Sequence, residues 1–480
     1  MGLVIGQDRL RSLDGTLTTD GERPTPDPTD TKLRVLKAWL YKKGKLYLLF
    51  TLSASLSTAP LVAFYFQQVS WVGLFSNGVI VPWVGVVMVP LGLMSAGLSL
   101  FSPSGFLPMA GLNDFVVVSL LRLVAAFASF PWAEIHIASP TFLVMILLYA
   151  VLFPLLLWGT RPGKWGLIAV VTILCLVLWK PGIQASGGES AVRVTYLDVG
   201  QGDSAVVQSE GKVMVIDGGG TFSDSFDIGR SVVAPYLWNQ GIRRIDTLVA
   251  THPQLDHMEG LLYLIDHFPV GEAWTNGDPG EGSLGKAFDR RMHLKEIPSR
   301  VIFMKAGEGV FGDCRVDFLN PPVGGSDGRR IGVNDRSIVF QIRCDRVSFL
   351  FTGDIERAGI QNLLTQGKSL DNTVLKVPHH GGRSSVNEEF VSRVCPQAAV
   401  FSSGYKNRFH HPTPEALSAY QKVGAKIFRT DVSGALVVDW DGKNLRFRTG
   451  SDISLRPVKR RHLMNMWSEE LGNYKRAFRE

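Results

Sequence analysis

From Leu46 to Phe66 no residue carries a charge, and Lys32, Arg34, Lys37, Lys42, Lys43 and Lys45 crowd the approach to that run. About 20 apolar residues cross a hydrocarbon core, so the run reads as a membrane span. Further apolar stretches follow at 79–101, 112–130, 140–158 and 165–179, separated by Gly, Pro and polar breaks. An α-helical transmembrane bundle of about five helices is expected over residues 46–180. Pro60, Pro82, Pro90 and Pro154 fall inside these spans. Such breaks are tolerated where neighbouring helices or a watery cavity satisfy the freed backbone, so the bundle reads as more than an anchor. Asp114 and Arg122 lie near one face of the third span, which suits a structural pair, with pore lining as the sharper alternative.

Short segments rich in Lys and Arg stay in the cytoplasm. The cluster before Leu46 is then inside, and five spans put Arg161 and Lys164 inside as well. The chain therefore leaves its last span on the outer face of the membrane. Residues 1–45 are expected to form a polar, disordered lead-in ending in a basic flank. They hold no apolar core of a secretory signal. The net charge of +7 decides little, because basic flanks of spans and a polyanionic partner produce the same excess. Cys175, Cys314, Cys344 and Cys395 are scattered without a C-x-x-C pair and read as buried thiols.

After a Gly/Ser linker at 181–190 the pattern changes. Short β-branched runs such as "VRVTYLDVG", "VMVIDGGG", "IDTLVATH", "VSFLFTGD" and "TVLKVPHH" alternate with helical stretches such as "MEGLLYLIDHF", which predicts an α/β domain over 191–450. Several of these strands run into metal-binding residue types. His252, Asp256 and His257 follow one strand, Asp354 another, and His379 and His380 a third, while Asp217 precedes three glycines. Each alone has an ordinary explanation. Asp256 could cap a helix, Asp354 could sit in a turn, and the histidine pair could be a hydrogen-bonded loop. Together, imidazoles and carboxylates at several strand ends can converge on one rim, as a hydrolytic metal site requires. The tail, 451–480, is basic with Trp467 and Tyr474 among the charges; a solvated helix is the default and contact with phosphates the alternative.

His252, Asp256, His257, Asp354 and a histidine of "HHGG" resemble the metal motifs of the metallo-β-lactamase fold, an αββα sandwich that usually holds two zinc ions. "TYLDVGQGDSAVV", "FTGDIE", "VPHHGG", "NRFHHP" and "FRTDVSGALVV" resemble, more narrowly, the ComEC subgroup of DNA-uptake proteins. The resemblance implies hydrolysis of DNA phosphodiesters with one or two ions of Zn²⁺ or another divalent metal. Asp256, His257, Asp354 and one of His379 and His380 would hold one ion, and His252 and Asp354 would serve the other. Asp256 and His252 are the expected catalytic residues, and Asn334, Arg383, Ser385 and His411 are candidates for contact with substrate. Three positions depart from the subgroup: Gln254 stands where its members have Asp, Gly382 where they have Ser, and His410 where Gly is usual. The implied partners are DNA, the lipid bilayer and other DNA-uptake proteins. ComEC proteins have a further soluble domain and spans ahead of the matched region, so the resemblance leaves open a split gene with a separately encoded front half, a truncated reading frame or a reduced relative. Two other readings stand beside this one: a membrane-anchored phosphodiesterase or esterase acting on a small or envelope substrate, and a degenerate domain that binds DNA without cutting it.

Overall fold

The computed structural model describes residues 32–450 apart from 102–106, 108, 131–132, 138, 157–160, 180–190, 222–225, 281, 305–307 and 323–330. The linker at 181–190, the basic tail at 451–480 and the first part of the lead-in lie outside the described residues. The chain divides into a helical unit and an α/β unit.

In the helical unit the first helix, Lys32–Phe66, starts well before Leu46. The basic flank is therefore helical, not part of a disordered lead-in, as its Leu, Lys and Ala content favours. Val72–Pro82 runs through a π-helical turn, Trp83–Met88, into Val89–Ser99. That turn sits directly after Pro82 and just before Pro90, where the missing proline N–H groups loosen the regular ladder. Ala110–Ala128, Phe142–Leu156 and Arg161–Trp179 follow. Five helical stretches stand where five spans were expected. Among the described residues three are long and apolar enough to cross a membrane: Tyr41–Phe66, Phe75–Ser99 and Ala110–Ala128. The described apolar parts of the last two, Phe142–Val151 and Trp165–Leu174, are shorter. At most 12% of each spanning window is buried. Hydroxyls inside these helices bond back to their own turn, as with Thr51 Oγ1 to the Tyr47 carbonyl at 3.0 Å and Thr58 Oγ1 to the Ala54 carbonyl at 3.0 Å. The two hydroxyls are thereby satisfied within the helix. Asp114 and Arg122 are both exposed, and no ion pair joins them among the described residues.

The strands of the α/β unit, in chain order, are β1 Val192–Tyr196, β2 Ala205–Ser209, β3 Lys212–Ile216, β4 Ile245–Ala250, β5 Val270–Thr275, β6 Ser299–Val301, β7 Glu308–Phe311, β8 Cys314–Asn320, β9 Val339–Cys344, β10 Val347–Phe351, β11 Val374–Lys376, β12 Ala398–Phe401, β13 Lys426–Arg429, β14 Leu436–Trp440 and β15 Leu445–Thr449. One sheet runs β15-β14-β1-β2-β3-β4-β5-β6 and the other β13-β12-β11-β10-β9-β8-β7. Their inner faces share a single apolar core, in which Tyr196, Met214 and Val249 of the first sheet join Phe318, Phe340 and Phe349 of the second. On the outer face of the second sheet, Leu350 and Phe401 pack with Ile360, Leu363, Phe390 and Tyr420 from the helices Arg357–Thr365, Glu388–Val394 and Pro414–Lys422. Helix Leu255–His267 turns buried Leu261 and Leu264 inward, beside buried Leu248 of β4. This is the αββα sandwich.

The side chain of Cys175 lies outside the described residues, and the other three cysteines correct the reading as buried thiols. Cys314 and Cys344 form a disulfide, and Cys395 is exposed. The antiparallel register of β8 with β9 pairs Arg315 with Arg343, so the two cysteines fall opposite each other. A Cα separation of 4.4 Å is that of a facing non-hydrogen-bonded pair. Their separation of 30 residues conceals this in the sequence.

Candidate metal centre

Strands β3, β4, β10 and β11 lie side by side in their sheets, and the turns leaving their C-terminal ends meet at one rim. The turn after β4 carries His252 and enters helix Leu255–His267 with Gln254 at its N-cap, so Asp256 and His257 occupy the first helical turn. Asp256 is therefore not the cap, and its charge sits where the helix dipole favours an anion. Asp354 follows β10. His379 and His380 follow β11 in a tight turn that holds both in the left-handed region, φ 47° and 55°. The ligand helix is seated by Gly218 and Gly260. A Cβ on Gly260 would lie 2.1 Å from the Gly218 carbonyl oxygen, and one on Gly218 would lie 2.5 Å from the Leu261 nitrogen. Only glycine permits that approach of loop to helix.

Asp256, His257, Asp354 and His380 each bring one donor atom into a group whose members all lie within 4.8 Å of one another. Asp354 Oδ2 is 3.2 Å from His257 Nε2 and 3.1 Å from His380 Nε2, and Asp256 Oδ2 is 3.5 Å from His380 Nε2. Each imidazole is fixed from behind through its other nitrogen. His257 Nδ1 meets Asp217 Oδ2 at 2.8 Å, while His380 Nδ1 meets the Ser402 carbonyl at 2.9 Å and Asp203 Oδ1 at 3.2 Å. Asp217 is itself held by the Thr251 N–H at 2.8 Å and the Thr251 hydroxyl at 2.7 Å. This is the arrangement that leaves Nε2 free to ligate and sets the ring's orientation.

Among the described residues, buried His257 Nε2 and His380 Nε2 meet no polar atoms other than the carboxylates of Asp354 and Asp256, and buried Asp354 Oδ1 has no hydrogen-bond partner. Buried imidazole nitrogens and carboxylates brought this close together form a set that would fit a divalent cation. Two imidazole nitrogens and two carboxylates are a donor set suited to Zn²⁺ and similar divalent ions. The imidazoles and carboxylates hold one another in charged form: burial would lower both rings, but Asp354 with Asp217 raises His257, and Asp354 with Asp203 raises His380, well above the usual histidine range. Burial alone would raise the Asp354 carboxyl, but His380 and His257 outweigh it and hold the group well below the usual carboxylate range. Asp256 is treated likewise: burial opposes, the hydrogen bond from His380 and the charge of His257 prevail, and its pKa falls to about 2. Burial and then His257 push His252 down to about 3, so that ring is neutral at pH 7.

Residues 28–162 match the family described as Competence protein, and residues 197–404 match the metallo-beta-lactamase superfamily. This chain joins a competence domain to a metallo-β-lactamase domain. It is distantly homologous to ComE operon protein 3 of Bacillus subtilis, at 27% identity over 412 residues, covering 80% of this chain and 50% of that protein. Competence protein ComA of Neisseria gonorrhoeae is 28% identical over 385 residues, with coverage of 80% and 50%. The uncharacterized protein YcaI of Escherichia coli is 25% identical over 413 residues, with coverage of 82% and 48%. The chain thus spans about half the length of the curated relatives it matches.

Within the metallo-β-lactamase domain the remaining expected residues are placed unequally. His379 stands outside the cluster, its Nδ1 2.9 Å from Glu356 Oε1 and 3.2 Å from Ser384 Oγ. His252 is buried with its ring 4.2 Å from that of His257, but its Nε2 meets Gln254 Oε1 at 3.2 Å. Asn334 and His411 line a cleft of about 1400 Å³ that opens over Asp256, Asp354 and His380. Arg383 is exposed and pairs with Glu415 at 2.6 Å. Ser385 is buried, its hydroxyl donating to the Pro378 and Gly382 carbonyls at 2.9 and 2.8 Å. Neither lines the cleft. Two residues were given no role from the sequence. Asp203 orients His380, and Lys376, only 4% exposed, places its ammonium on Asp203 and donates to the Val377 carbonyl at 3.0 Å. The available signal was a lysine inside the otherwise apolar "TVLKV", since a buried lysine needs an anion beside it.

Proposed function

We propose that this chain is a membrane component of DNA uptake whose metallo-β-lactamase domain lies on the outer face and hydrolyses DNA phosphodiesters with one tightly held divalent metal. The carrying observation is the convergence of the buried Nε2 atoms of His257 and His380 with the Asp354 and Asp256 carboxylates, in a chain that also bears a competence domain. A divalent ion supplies Lewis acidity, polarising a phosphoryl oxygen and making water acidic enough to attack at neutral pH. Asp256, His257, Asp354 and His380 hold it. Asp217 and Asp203 keep the two rings in the ligating tautomer, and Lys376 balances the charge of Asp203. Asp256, the most accessible of the four, faces the cleft and is placed to accept the proton of the attacking water. The hydrogen bond between His252 and Gln254 favours one ion over two, because a neutral amide is a poor ligand and already occupies the His252 nitrogen.

The Cys314–Cys344 disulfide supports the outer placement, since such bonds persist in oxidising compartments and are rare in the cytoplasm. Two measurements on the full chain test the proposal. Purified protein in detergent is expected to cleave linear DNA, to lose that activity with a chelator and to regain it with Zn²⁺ or Mn²⁺. Hydrolysis of a small phosphodiester but not of DNA would transfer the site to another substrate. A reporter fused after Pro181 is expected to be active outside the cytoplasm, and cytoplasmic activity would refute the outer placement.

A further inference from the structure

From the metal cluster a row of rings leads out to the surface. His380 faces His411 with centroids 6.4 Å apart and planes 29° from parallel, and His411 faces Phe409 at 5.8 Å, again at 29°. Phe409 is 46% exposed and Tyr405, in the same loop, is 53% exposed. Basic groups sit over both: the Arg408 guanidinium is 4.7 Å from the Phe409 centroid and the Lys406 ammonium 5.4 Å from that of Tyr405. All of these except Lys406 line the cleft above Asp256 and Asp354.

The loop is built rather than loose. The Asn407 amide donates to the carbonyls of Gly404 and His411, and its oxygen accepts from the N–H groups of Phe409 at 3.2 Å and His411 at 3.0 Å. Two departures from the subgroup meet here. His410 takes φ 57°, which explains why Gly is usual at that position, and a Cβ on Gly382 would come within 3.0 Å of the His411 ring. A smaller residue at 382 thus leaves room for that ring to sit on the row.

We propose that Phe409, backed by His411 and flanked by Arg408, is a stacking platform for an unpaired base, so that the cleft takes single-stranded rather than duplex nucleic acid. The proposal rests on the DNA reading above and refines it. Aromatic rings interleaved with cations are the general means of holding a single strand, the rings taking base faces and the cations phosphates. In a duplex those faces are covered by neighbouring bases, and an exposed ring at the rim has nothing to receive. Asn407 holds the platform in place beforehand, which lowers the entropy lost on binding. A base seated on Phe409 brings the adjoining backbone along the row of rings toward His380.

Binding by the full chain in detergent, with EDTA present to prevent cleavage, tests this. An oligothymidylate is expected to bind about tenfold more tightly than an abasic strand of equal length and charge, since stacking acts on the base alone. Phe409→Ala should remove that preference, and Phe409→Trp should keep it, which separates stacking from misfolding. Equal affinity for the two strands, a preference surviving in Phe409→Ala, or tighter binding of duplex would each overturn the platform while leaving DNA as the substrate. Failure of the unmodified protein to bind any DNA would remove the DNA reading itself. If Phe409→Ala instead lost binding to phosphatidylglycerol vesicles with the strand preference intact, the loop would be a membrane contact and the platform refuted.

Discussion

Phenylalanine is used in opposite ways in the two halves of this chain. Phe349, Phe340 and Phe351 in the sandwich are at most 1% exposed, whereas Phe75 in the helical unit is 75% exposed and Phe115 is 65% exposed. In water the second arrangement would be an aggregation hazard. The difference teaches that the two units are folded for different solvents. The sandwich makes its own apolar interior, whereas the helices leave apolar side chains facing outward, as suits lipid surroundings, with hydroxyls such as those of Thr51 and Thr172 bonded to the preceding turn.

Four measurements can break or sharpen that contrast. The largest effect is expected from Asp354→Ala or His257→Ala, either of which should abolish DNA cleavage and tight metal binding while the helices still insert. DNA cleavage persisting after full loss of metal would end the metal mechanism. Next, Phe349→Ala should destabilise the sandwich by about 3–5 kcal/mol, because it leaves a core cavity. Phe75→Ala should change stability by no more than about 0.5 kcal/mol, as for a residue outside any packed core. Chemical denaturation in detergent compares them, and a large loss for Phe75→Ala would mean that the helical surface is a protein interface. Third, replacing both Cys314 and Cys344 by Ser should cost the sandwich about 3–4 kcal/mol from the freed unfolded chain and leave the helices unaffected. An unchanged denaturation midpoint would show that the bond contributes nothing. The smallest change concerns Gln254→Asp, which should raise the bound metal from one equivalent toward two and increase cleavage, since two ions can stabilise both attacking and leaving oxygens. Two tightly bound ions in the unmodified protein would refute the one-metal arrangement.

The sandwich strands were legible because β-branched runs ending in Gly and Asp can do little else, and the cluster was legible because its residue types stand at successive strand ends. The choice between His379 and His380 was not, since neighbours in sequence differ only in where a strained turn points them. Asp203 and Lys376 escaped because their pairing joins two different sheets across the domain. The disulfide escaped for a similar reason: it depends on the register of β8 against β9, which nothing local encodes. In the helical unit runs of apolar residues placed five helices, but length and apolarity decide how many can span, and these fell short in the described parts of the last two.

Gly218 and Gly260 carry no functional group, yet the place of Asp256 and His257 depends on them. A methyl at either would have to push the helix off the loop by more than an ångström, and displacement of that size can cost about 100-fold in rate. An unbiased screen for variants of this domain that lose the proposed DNA cleavage should therefore recover these two hydrogens as readily as the ligands. Such alleles would look like lesions of folding to anyone sorting mutations by chemistry.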